Sequence, residues 1–315
     1  MIASFTVLIV ILLSQMGDLE LLFNGGFFTE GPAVALDGTV FFSDLTFTAD
    51  THMQAGVIWR FDPATGRTTL YRSPSGMSNG MKVDAQGRLV IAEGADYGGR
   101  QIVRTDLATG RSVIVAGLYI GAPFNSPNDL VIDDKGRIFF TDPRYAGHEP
   151  IEQPVKGVYR IDTNGTVTLI IGDISSPNGI ALSPDEATLY VGCNDEGSTG
   201  NSPRPRRMSL LAYDLAPNGT AKFRKKLMDY GDRGGPDGMA VDVEGNIYVA
   251  VRDEARPGIE VYSPTGEVVH FIPTRQIPSN VAFGRGAEAK TLYITAGGCL
   301  YRTHVDNNGF HAETP

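Results

Sequence analysis

The chain has 315 residues, 42% hydrophobic and 20% charged, enough apolar side chain for a large core and the profile of an ordinary globular protein. Its net charge of −9 argues against nucleic acid or an anionic membrane surface as partner, and favours a carboxylate site that takes a cation. Cys193 and Cys299 belong to no CxxC or Cys/His cluster, which argues against structural zinc, and they read as two lone buried thiols rather than a disulfide.

The chain opens with an apolar run, Ile2 to Leu13, followed by Ser14 to Gly17. The run is too short for a membrane span and suits the apolar region of a signal peptide, although no Lys or Arg precedes it. Residues 1–17 are therefore expected to be a leader and residues 18–315 the working domain. Periplasmic or secreted placement follows, with cytoplasmic as the alternative, and no membrane association after processing.

From Glu30 onward one phrase recurs six times: a polar residue, often followed by Gly, then an apolar stretch, an acidic turn with Gly, and a second apolar stretch. The copies include EGPAVALDGTVFFSD from Glu30, NGMKVDAQGRLVIAEG from Asn79 and NDLVIDDKGRIFFTD from Asn128. Asn178, Asp237 and Asn280 lead the others, at spacings of 49, 49, 50, 59 and 43 along the series. Within each unit Asp-Gly-type turns join two strands, as at Asp37-Gly38. A third strand rich in aromatic and β-branched residues follows (Val57–Phe61, Ile102–Thr105, Val158–Ile161), then a fourth (Thr68–Tyr71, Ser112–Val115, Val167–Ile171). No stretch holds a 3.6-residue period. The prediction is an all-β, six-bladed β-propeller with four antiparallel strands per blade and a central metal site. Asp18–Phe23 has no blade of its own and is predicted to close the ring against the last one. Two insertions, Arg144–Lys156 with His148 and Asn194–Met208, follow second strands and should overhang one face.

Taken singly, Asn-Gly and Asp-Gly are turn formers. Here each unit already has its own acidic turn downstream, so the lead residues Glu30, Asn79, Asn128, Asn178, Asp237 and Asn280 are free to share one level around an axis. Hard carboxylate and amide oxygens suit Ca²⁺, ahead of Zn²⁺, Mn²⁺ or Fe²⁺, and Glu30 with Asp237 neutralises one divalent ion. No Gly-x-Ser-x-Gly elbow points to a serine hydrolase. The five histidines lack metal spacing, and Trp59 reads as core.

Glu30-Gly-Pro32, Asn125-Ser-Pro-Asn-Asp129 with Phe140-Thr-Asp-Pro143, Pro177-Asn-Gly179 and Pro236-Asp-Gly238 together resemble the senescence marker protein (regucalcin)/gluconolactonase family over residues 20 to 303. That resemblance implies Glu30, Asn128, Asn178 and Asp237 as ligands of one catalytic divalent metal and Asn79 as a substrate contact. One departure is Met77, where members similar to regucalcin carry Arg. Glu93 and Arg100 resemble a segment of bacterial gluconolactonase-like members.

The implied reaction is metal-assisted opening of an aldono-lactone, with Asp237 taking a proton from water and Asn79, Glu93 and Asn280 contacting substrate. Phosphotriester or aryl ester hydrolysis on the same metal is the alternative enzyme reading, and a non-catalytic ligand-binding propeller the other. The expected partner is a small-molecule lactone, and the expected state a monomer or weak dimer.

Overall fold

Each repeat folds into a four-stranded antiparallel sheet because its second strand is apolar on both faces and must be covered on both. Val40–Asp44, Leu89–Glu93 and Ile138–Asp142 are buried at every residue, whereas outer strands such as Arg67–Arg72 and Ser112–Ala116 are largely half-buried or exposed. The computed structural model describes residues 19–47, 50, 52, 56–195, 197 and 207–312. The expected leader and most of the Asn194–Met208 insertion lie outside these residues.

Six such sheets stand around one axis. Their innermost strands are Thr29–Val34, Ser78–Val83, Leu130–Ile132, Pro177–Leu182, Pro236–Val241 and Pro278–Phe283, in blades 1 to 6 respectively. Each packs against the innermost strands of both neighbours, so the ring is complete. Blade 6 consists of Pro278–Phe283, Thr291–Ala296, Cys299–His304 and Glu20–Phe23, the last pairing antiparallel with Cys299–His304. The predicted closure is the observed one, and it covers the edge that Cys299–His304 would otherwise leave open.

The core is divided among the blade interfaces. Six apolar clusters each draw on two adjacent blades: Phe41 and Ile58 meet Met81 and Ile91 between blades 1 and 2, and Phe42 and Phe61 meet Tyr293 and Leu300 between blades 6 and 1. Trp59 packs against this last cluster and donates Nε1–H to Asp44 Oδ2 at 3.1 Å. Cys193 and Cys299 are buried free thiols in separate clusters.

The acidic turns work as read. Asp84 Oδ1 accepts the backbone N–H of Gln86 at 3.1 Å and of Arg88 at 2.9 Å, and Asp133 and Asp242 do the same in their blades. A short hairpin, Leu118–Tyr119 with Ala122–Pro123, was not anticipated. Gln153 Nε2 ties it to the Arg144–Lys156 insertion through the carbonyls of Tyr119, Ala122 and Pro123. At the opposite mouth of the tunnel the C-terminal segment crosses the axis, with Phe310 N–H on Val241 O at 2.9 Å and Gly309 N–H on Ala289 O at 2.8 Å. It leaves an axial cavity of only about 60 Å³ there. Access to the axis is from the other face.

Candidate active site

The lead residues are not hairpin turns. Five of the six sit inside the innermost strands and Asn128 just before Leu130–Ile132; the pairing register slips between Glu30 and Ala33, Ser78 and Met81, Pro177 and Ile180, and Pro236 and Met239. Each slip is a bulge, which re-aims a side chain that would otherwise alternate into a blade interface. The following glycine exists because the strands converge: a Cβ on Gly80 would lie 2.3 Å from Asp129 Oδ1, and one on Gly238 1.9 Å from Asn280 Cγ. Buried hydroxyls fix the lead backbones from the next blade: Ser43 Oγ donates to Asn79 O and Thr141 Oγ1 to Asn178 O, each at 2.7 Å.

The result is a cavity of about 320 Å³ with Glu30, Asn79, Asn128, Asn178 and Asp237 among its lining residues. All four proposed metal ligands and the proposed substrate asparagine therefore meet, although Glu30 and Asp237 are 207 positions apart in sequence. Burial pushes the Glu30 carboxyl well above the usual carboxylate range, and the negative charges of Asp237 and Asp129 push it the same way. Burial also raises Asp237, against the pull of Arg252. Asn79 Oδ1 is buried with no hydrogen-bond partner. Mutually repelling buried carboxylates and the carboxamides of Asn128 and Asn178 on one cavity are the donor set that a hard divalent cation satisfies, and the orphan oxygen of Asn79 stays open to a ligand beside it. Asp133, Asp134 and Glu186 also bring carboxylate oxygens within 4.8 Å of one another. They stand at a hairpin turn away from the cavity, and Arg137 already holds Asp133 at 2.6 Å.

Two expected substrate contacts stand elsewhere. Glu93 is directed away from the cavity because strand alternation gives the inward position to Gly94. Its Oε2 accepts from Gln101 Nε2 at 2.8 Å, and Oε1 faces Arg72 at 3.9 Å. Asn280 lies beneath the ring rather than in the cavity. The slip in blade 6 falls before its lead residue, between Pro278 and Asn280, and Asn280 Nδ2 reaches Glu30 Oε2 at 3.0 Å and Asp129 Oδ2 at 3.4 Å. Arg100 is a loop tether, donating Nε–H to Phe124 O at 2.7 Å. His148 stands against Tyr97, with ring centroids 6.4 Å apart, not in the cavity.

Other residues were missed. Tyr145, from the overhanging insertion, lines the cavity; its hydroxyl donates to Ser176 O at 3.2 Å and lies beside Asn178. Above the lead ring runs a second tier, formed by the residue just past the paired end of each second strand. Its members in the cavity are Leu45, Gly94, Asn194 and Arg252. Arg252 Nη1 donates to Asp237 Oδ2 at 2.9 Å, and its guanidinium carbon lies 5.3 Å over the Phe28 ring. Phe28, Leu45, Phe47 and Met77 make one wall apolar.

Known proteins are similar over most of the chain. The sequence profile described as the SMP-30/Gluconolactonase/LRE-like region matches residues 28–298. A gluconolactonase of Zymomonas mobilis subsp. mobilis is 32% identical over 300 residues, covering 87% of this chain and 79% of that protein. A pentonolactonase of Haloferax volcanii is 28% identical over 251 residues, covering 78% and 76%. Among solved structures, a gluconolactonase of Xanthomonas campestris superposes with a TM-score of 0.77 at 29% identity, over 92% of this chain and 90% of the other. Regucalcin of Agrobacterium tumefaciens shares the fold, with a TM-score of 0.73 at 21% identity over 94% and 96%. The chain belongs to the SMP-30/gluconolactonase/LRE-like family.

Proposed function

We infer that this protein is a lactone hydrolase that opens an aldono-lactone with the help of one divalent cation. The observation that carries the reading is the convergence of Glu30, Asn128, Asn178 and Asp237 on one cavity, in a chain whose relatives include a gluconolactonase and a pentonolactonase. Those four residues would hold the cation. Their all-oxygen character and two carboxylates favour Ca²⁺. When bound, it polarises the lactone carbonyl and stabilises the negative charge that develops on that oxygen.

The chain's own residues do the rest. The unpaired carboxamide oxygen of Asn79 accepts a hydroxyl of the sugar and orients the ring. The apolar wall of Phe28, Leu45, Phe47 and Met77 excludes bulk water from the other side. Asp237 takes the proton of the attacking water at Oδ1, the oxygen that Arg252 does not hold. Burial raises the Asp237 carboxyl and so strengthens it as a base, whereas a coordinated cation acts in the opposite sense.

The same apolar wall favours a second reading, hydrolysis of aryl esters or phosphotriesters. A pH-indicator assay separates the two. Glucono-, xylono- and galactono-lactone and paraoxon would be offered with and without chelator. Turnover of at least one lactone, lost on chelation, supports the proposal, and turnover of paraoxon alone replaces it with the second reading.

A further inference from the structure

We propose that Arg252 is a substrate-binding residue that recognises the acyl oxygens of the substrate, the lactone carbonyl on entry and the carboxylate of the ring-opened product. The inference deepens the lactonase reading and rests on it.

Position is the first argument. The floor of the cavity is a ring of oxygen donors, and a substrate resting on it passes the tier above. That tier holds Leu45, Gly94, Asn194 and Arg252, and Arg252 is the one cationic residue lining the cavity among the described residues. The Met77 side chain adds an apolar surface to the lining, and no other cation there shares the task.

Geometry is the second. The guanidinium is a planar fork of five N–H donors. Stacking 5.3 Å over Phe28 sets its plane, and one donor, Nη1, is used on Asp237 Oδ2 at 2.9 Å. Among the described residues its guanidinium has no other hydrogen-bond partner, and the side chain keeps 32% of its surface accessible. The unused edge is presented beside the carboxylate assigned to proton transfer, within reach of the carbon being attacked.

Charge is the third. The carboxylate that Arg252 holds, Asp237, is also one of the two that would balance a divalent cation, so the guanidinium shares its one partner with that site. Hydrolysis adds the oxygen of water to the acyl carbon and breaks the acyl C–O bond; one water proton ends on the ring oxygen, and the other passes to solvent as the new carboxyl ionises to a carboxylate. That anion offers the guanidinium a carboxylate partner of its own, through charge-assisted bonds that a neutral alcohol cannot match.

The test compares two ligands on calcium-loaded protein: the aldonate of the lactone that turns over fastest (gluconate for glucono-lactone) and the matching alditol (glucitol). Calorimetry on wild type, Arg252→Lys and Arg252→Met gives both affinities. We expect Arg252→Met to weaken aldonate binding at least about tenfold and alditol binding less than about twofold. Arg252→Lys, which keeps the charge and loses the fork, should fall between, and it decides the matter if Arg252→Met does not fold. A role confined to holding Asp237 would not move the aldonate-to-alditol ratio. An unchanged ratio in either folded variant, or no aldonate binding by a wild type that hydrolyses the lactone, overturns the assignment. A wild type that hydrolyses no lactone removes the lactonase reading instead, and this inference with it.

Discussion

Asn280 and Glu30, 250 positions apart, are joined by a single 3.0 Å hydrogen bond from Nδ2 to Oε2 across the seam where the last blade meets the first. The same amide faces Asp129 Oδ2 at 3.4 Å, so it is wedged between two buried carboxylates. A bond of this kind orients a metal ligand. Asn280→Ala should lower cation affinity by about 10- to 100-fold, read by calcium titration of chelated protein, with turnover falling in step. Wild-type affinity in that variant would contradict the bracing role.

Removing the cation should cost both activity and stability. Glu30, Asp129 and Asp237 repel one another in a buried space, and a divalent ion relieves that repulsion. Calcium at 100 times its dissociation constant should add about 2.7 kcal/mol, seen as a rise in melting temperature over chelated protein. No shift at saturating calcium, strontium or manganese would count against a cation at this site.

Asp237→Asn keeps the shape of the side chain while removing its negative charge and its capacity to take a proton. Turnover should drop by at least about 100-fold with the fold intact by circular dichroism. Full activity would move the proton acceptor elsewhere, with Tyr145 the neighbouring titratable group to examine.

Two glycines separate packing from backbone strain. Gly238→Ala drives a Cβ to 1.9 Å from Asn280 Cγ, in the middle of the tunnel wall. It should destabilise by about 3 kcal/mol or more and disturb Asn280 as well. At Gly38, φ is +87° and a Cβ would meet nothing within 4 Å, so Gly38→Ala should cost only about 1 kcal/mol and spare activity. Equal losses in urea denaturation would refute the distinction.

The pH dependence of stability has a defined sign at Asp142. Burial lifts its carboxyl to about 7, even though it accepts the backbone N–H groups of Asn125 and Ser126. In the unfolded chain the same group titrates near about 3.9. Between these values the folded state binds the extra proton, so this group's contribution to stability falls as pH rises from about 4 to about 7 and is flat above. Asp142→Asn lacks the titration. Its stability relative to wild type should therefore improve steadily across that window in urea melts, and a difference independent of pH would refute the assignment.

The sheets and their ring were readable because every unit repeats one pattern, and an orphan strand at the start needed a partner. The Leu118–Tyr119 hairpin was not, since two-residue strands carry no period. Five of the six lead residues reach the cavity, as their shared position in each unit implied. Asn280 is displaced because its blade bulges at a different residue, a local choice the motif does not record. Glu93 shows the limit of resemblance, since one step of strand alternation separates it from the inward-facing Gly94. The upper tier went unnoticed for a different reason. Leu45, Gly94, Asn194 and Arg252 share a place in the fold but no chemistry, so nothing in the sequence marks them as a set until the strands are paired.

The pairing of Glu20–Phe23 with Cys299–His304 has a bearing on how the protein is made. The earliest-made of the described strands finds its partner only after every other described strand has been synthesised. Blades can form one after another during translation, but the circle, and with it the seam that positions Glu30 against Asn280, is completed only once Cys299–His304 is available. A truncated product missing either end would keep most of its sheets and have no working centre.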